Sequence, residues 1–260
     1  MSIETILELF HIAVSLAVLV GCVRTIRHGE RYLPLIFFSF SIACFVLSGF
    51  YWMAYMLLRP DTRMPFAANE IAEWAIFLLL GEALRTGAPR KHIRVNGEVI
   101  LAALFTAANT MLWIAWSGEW IQDILTGLTI GYFICSIVSR MKLENAISEI
   151  EWRGFELICL LLVGAQTATF FVLENIKSKL DGLCYFLLFT VSAWLAFKAI
   201  QIVWKKESPR KFVCMTFAFF AWELIAMYMS GSPFYEIAFV VCSICLPFMM
   251  YSLIKEVRAK

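Results

Sequence analysis

Nine long apolar segments constrain this chain more than any other feature. They run at about 4–23, 32–58, 66–84, 98–117, 119–139, 154–174, 182–204, 212–229 and 234–254. A bilayer core requires about 20 mostly apolar residues per helix, and each segment meets that length. The segments take up most of the chain, and the connections are too short to hold a folded soluble domain. The expected fold is therefore an all-α integral membrane protein: a polytopic bundle of about nine transmembrane helices forming one domain over 1–260.

Composition agrees. Of the 260 residues, 61% are hydrophobic and 16% charged, against roughly 25% charged in a typical soluble domain. Twenty-three Phe and nine Trp exceed what one soluble core can bury. A soluble enzyme, a nucleic-acid-binding domain and a disordered chain are excluded, and the lipid bilayer is the first partner.

Basic residues orient the bundle, because Lys and Arg concentrate in cytoplasmic connections. With the N-terminus outside, the inner connections hold Arg24, Arg27 and Arg31; Arg85, Arg90, Lys91 and Arg94; Arg140, Lys142 and Arg153; and Lys205, Lys206, Arg210 and Lys211. The tail adds Lys255, Arg258 and Lys260, whereas the outer connections hold only Arg59, Arg63, Lys177 and Lys179. The expected topology is N-terminus outside and C-terminus cytoplasmic. The first apolar stretch lacks a basic leader and a small-residue cleavage site, so it reads as a retained helix. Trp113, Trp116 and Trp120 fit an outer aromatic belt, and Trp152 and Trp204 an inner one. The location expected is a plasma membrane, with a bacterial cytoplasmic membrane compatible.

Several local features read as structural. Lys142 to Trp152 alternates apolar and acidic residues at helical spacing, as in a short linker helix on the inner surface. Gly127 and Gly131 form a GxxxG that suits close helix packing. Pro247 interrupts the last span. Cys242 and Cys245 form a CxxC deep in an apolar helix, where a thiolate is disfavoured, so they read as small hydrophobes. No HExxH, GxSxG, P-loop or GxGxxG is present, and no cofactor is implied.

The informative polar groups are carboxylates within the outer halves of the spans. Charge there is costly and usually faces a cavity or a partner. Glu70 and Glu73 sit three apart on the third span, with Asn69 beside them. Glu223 on the eighth span and His11 on the first come to a similar depth, with Glu8 one turn above His11. Asp123 lies one turn into the fifth span. Glu70, Glu73 and Glu223 are expected to floor an outward-facing cavity, with Tyr51, Trp52, Trp74 and Trp222 as walls. Carboxylates beside aromatic faces suit a small cation or amine. The alternative is that these groups only hold helices together.

Three functions fit. The first is a small transporter or permease for a cationic or amine-containing ligand. The second is a non-enzymatic sensor or subunit that signals to a second protein chain; a homo-oligomer is equally compatible. The third is an intramembrane enzyme acting on a lipid-linked substrate, ranked last because no nucleophile or metal constellation accompanies the acids.

Overall fold

The computed structural model describes residues 3–28, 32–59, 66–87, 97–144, 148–173, 176–184, 186–187, 190, 193–194, 197, 211–228 and 233–258. Its regular elements among these residues are all α-helices. They are α1 (Ile3–Arg27), α2 (Leu33–Leu58), α3 (Phe66–Gly87), α4 (Gly97–Ser117), α5 (Trp120–Leu143) and α6 (Glu149–Ala168). Residues 176–184 are helical as well (α7), as are the described positions between 186 and 197. The chain closes with α8 (Lys211–Tyr228) and α9 (Pro233–Arg258).

Among the described residues, five helices are long and apolar enough to cross a membrane: α1, α2, α4, α5 and α9. The chain is therefore read as a multi-pass membrane protein. The apolar stretch of α8, Phe212–Glu223, is shorter. α3 and α6 fall outside that group because Glu70, Glu73, Glu82 and Arg85 lie on one, and Glu149, Glu151, Arg153 and Glu156 on the other. Large apolar side chains lie open around the bundle, among them Val20, Phe40, Leu47, Leu104, Leu128 and Leu157. Exposed apolar surface on this scale suits lipid contact.

The helices pack mainly with chain neighbours: α1 on α2, α2 on α3, α4 on α5 and α8 on α9. Contacts of α3 with α5 and of α1 with α9 close the arrangement. Residues 212–221 of α8 are buried on every side, as expected of a helix apolar all round that runs through a core. Phe212 and Phe219 there meet Phe38 and Phe45 of α2 edge-on, at 5.9 and 5.7 Å between ring centres. Phe77, Phe133 and Phe220 form a second aromatic group, with ring centres 5.2 to 5.8 Å apart.

Gly127 and Gly131 lie where α4 crosses α5. A methyl group on Gly131 would come within 3.0 Å of Thr106, and one on Gly127 would collide with Thr110. The GxxxG therefore packs two neighbouring helices of one chain. Pro247 sits inside α9, which continues to Arg258.

Three expectations change. The stretch from Lys142 to Trp152 is not a separate surface helix. α5 continues to Leu143, and α6 begins at Glu149 on a capping box formed by Ser148 and Glu151. Reciprocal capping satisfies otherwise unpaired backbone donors and fixes the start of the helix there. α6 also stops at Ala168, short of the expected 174. Trp152 is buried at 3% exposure and packs in the core, so it is not part of an interfacial belt. Trp204, residues 198–204 of the expected seventh span and the basic stretches 88–96 and 205–210 lie outside the described residues.

Candidate functional site

Six helices converge on a cavity of about 280 Å³. α1 contributes Glu8 and His11, α3 contributes Glu73 and Trp74, and α8 contributes Glu223. Trp52 and Phe45 of α2, Thr126 of α5, and Tyr235 and Phe239 of α9 complete the walls. Ile76, Phe77 and Ile130 also line it. All the helices that bring carboxylates do so near one end of the bundle. Glu73, seven residues into α3, lies about 10 Å below the start of its helix at 1.5 Å per residue.

The cavity is rich in acceptors. Glu8, Glu73 and Glu223 are the carboxylates among its described lining residues. His11 adds a fourth acceptor, because its tautomer is set by its neighbour. The Ser243 hydroxyl donates to the Phe239 carbonyl at 2.9 Å. A hydroxyl has one proton to give, so Ser243 Oγ accepts from the Nδ1–H of buried His11, 2.9 Å away. Nε2 of the neutral ring then carries the lone pair. The ring is held between Phe45 and Phe239, at 5.5 and 5.1 Å between centres. Trp74 donates its indole N–H to Thr126 Oγ1 at 2.9 Å, so its bond is made within the wall.

Five of the expected residues thus come together: His11, Trp52, Glu73, Trp74 and Glu223. Four others are placed elsewhere. Glu70 accepts from Gln122 Nε2 at 2.8 Å across the α3–α5 contact and does not line the cavity. Residues three apart on a helix differ by about 60° in direction, enough to send Glu70 to a different neighbour. Asp123 accepts from Ser117 at 2.5 Å, in the turn between α4 and α5. Tyr51 faces Tyr55, with ring centres 6.4 Å apart. Trp222 packs against the core instead of the cavity. The side chain of Asn69 lies outside the described residues. Cys242 of the CxxC is buried, with its thiol 3.8 Å from the Phe219 carbonyl.

Farther along the bundle lies a charged cluster that the sequence reading treated as loop. Arg140 is only 3% exposed. Its Nε donates to Glu144 at 2.8 Å, one Nη to Glu256 at 2.9 Å, and the other to the Leu84 carbonyl at 3.0 Å. The guanidinium lies over the Phe212 ring, 5.8 Å from its centre. A side chain at Gly87 would collide with Arg140. One residue therefore ties α3, α5, α8 and α9 together. The signals present in the sequence were Glu144 one turn after Arg140 and Glu256 as the acid of a basic tail. Glu82 and Glu156 are satisfied nearby, by the Tyr132 hydroxyl and by Arg153.

Among the described residues, no group of His, Cys, Asp and Glu is arranged to hold a metal ion. No known family, curated protein or solved structure matches this chain.

Proposed function

We propose that this protein is a small transporter that takes a small cation or amine into the carboxylate cavity, crossing the membrane nine times with its N-terminus outside and its C-terminus cytoplasmic. The observation that carries this reading is the convergence of Glu8, Glu73, Glu223 and the His11 acceptor with Trp52 and Trp74 in one cavity. Acceptors with no Lys or Arg among the described lining residues favour a donor-rich, positively charged ligand. Aromatic faces add cation–π attraction.

In this reading the cavity is the outward access. The phenylalanine groups and the Arg140 cluster close the other side. Arg140 lies ten residues beyond Ile130, about 15 Å farther along α5. Passage inward would require α5 and α9 to separate at Arg140 and Glu256.

Solid-supported-membrane electrophysiology on proteoliposomes tests the reading. Concentration jumps of methylammonium, choline and putrescine should produce a transient inward current with at least one of them. Glu73→Gln and Glu223→Gln should abolish it while the protein still purifies as a folded species. Binding without charge movement would favour the sensor reading. Neither binding nor current with any of the three would remove the cavity as a cation site.

A further inference from the structure

A second cavity of about 130 Å³ lies between α4, α5, α6 and α8, with Leu187 also lining it. Its walls are apolar, with Leu101, Phe105, Ile134, Phe155, Leu162 and Phe217 prominent. On α4 the lining runs from Glu98 to Trp113, about 22 Å of helix. Half of a bilayer hydrocarbon core is about 15 Å deep, so the slot is as long as an extended acyl chain needs. α6 packs far more sparsely on α4 than α5 does, and the slot follows that seam.

Two ion pairs flank the slot. Glu98 pairs with Lys142 at 2.6 Å, and Glu156 pairs with Arg153 at 3.2 Å. Both glutamates line the slot. Trp152 lines it too, is 3% exposed, and its indole N–H has no hydrogen-bond partner among the described residues. A buried donor is costly to leave without an acceptor. Two acids and two bases therefore flank the slot, and one lining residue carries an N–H unsatisfied among the described residues.

We propose that this slot holds one acyl chain of a zwitterionic glycerophospholipid from the leaflet beside the N-terminal end of α4. Its phosphate faces Arg153, Lys142 and the Trp152 N–H, and its ammonium faces Glu98 and Glu156. The mixed charges select the headgroup, since a purely anionic one would also meet two carboxylates. The site rests on the chain being embedded in lipid and is independent of the transport reading. It also abuts the carboxylate cavity. Ile130 lines both, and Phe77 on the cavity side meets Phe220 on the slot side with ring centres 5.8 Å apart.

The test is photo-crosslinking in nanodiscs containing phosphatidylethanolamine with a diazirine at mid-chain, followed by peptide mapping. Crosslinks should favour Leu101, Phe105 and Leu162 at least tenfold over the outward-facing Leu104 and Leu160. Ala102→Leu and Leu162→Phe, which narrow the slot, should remove that preference. Trp152→Phe and phosphatidylglycerol with the same label should each lower capture several-fold. Crosslinks spread evenly over Leu104 and Leu160, or equal capture of phosphatidylglycerol, would overturn the proposal. If both narrowing variants fail to fold, the map on the unsubstituted chain decides.

Discussion

Arg140 and Glu256 lie 116 residues apart in the chain and 2.9 Å apart in the fold, both almost fully buried. Their bond joins α5 to α9, and the guanidinium also donates to Glu144 and to the Leu84 carbonyl. Isolated charge is expensive in a core. This arrangement is tolerable because the guanidinium reaches three acceptors at once.

Removing one member should therefore cost more than removing the cluster. Arg140→Ala leaves the buried Glu256 and the partly buried Glu144 without their cation and should destabilise the protein by about 3–5 kcal/mol. Arg140→Met combined with Glu144→Gln and Glu256→Leu should recover much of that loss. Thermal unfolding in detergent checks the order. A single variant as stable as the triple would show that the cluster is not buried as described.

Glu70 and Glu73 should behave differently despite sharing a helix face in the sequence. Glu73→Gln and Glu223→Gln should weaken cation binding at least tenfold, about 1.4 kcal/mol. Glu70→Gln keeps an acceptor for Gln122 and should change binding less than about twofold. Isothermal titration with the amine that gives the largest current separates the two. Equal losses at Glu70 and Glu73 would place both in the site.

The tautomer of His11 is directly measurable. The chain has three histidines, so side-chain 15N resonances can be assigned with one His11→Gln variant. The expected spectrum has Nδ1 protonated and Nε2 bare, and Ser243→Ala should redistribute the proton. A protonated Nε2 in the unsubstituted protein would reverse the donor–acceptor assignment of the Ser243 bond.

Close packing at the α4–α5 crossing makes a further prediction. Gly127→Ala forces Thr110 aside and should cost about 1–3 kcal/mol, as overpacking does. Gly164→Ala on α6, where an added methyl meets nothing within 4 Å among the described residues, should be neutral or slightly stabilising. Paired melting curves in one detergent compare them.

Orientation can be read with reporters. Fusion of a fluorescent protein after Lys260 should give a fluorescent product, and alkaline phosphatase fused there should be inactive. The opposite pair of results would reverse the topology and turn the carboxylate cavity toward the cytoplasm.

Much of the helical layout was legible in the sequence. The expected segments at 32–58, 66–84 and 98–117 fall within a few residues of α2, α3 and α4. The ends of α5 and α6 were harder, because the amphipathic stretch between them resembles a helix of its own while Ser148 and Glu151 start a new one. Within the candidate site, depth was legible and direction was not. Glu73, Glu223 and His11 were matched by counting residues from helix ends, and the same count also drew in Glu70 and Asp123.

The sequence by itself determined that this chain is helical, apolar and multi-pass, because helix formation and membrane partition depend on runs of neighbouring residues. It also determined which helices carry acids among apolar residues. Only the tertiary structure decided which acids face one another. The rotation of each helix about its axis is set by packing with distant segments, as Gly127 and Gly131 set α5 against α4. Tertiary structure also turned Arg140 from an apparent loop charge into a core tie, since its partner Glu256 lies at the other end of the chain.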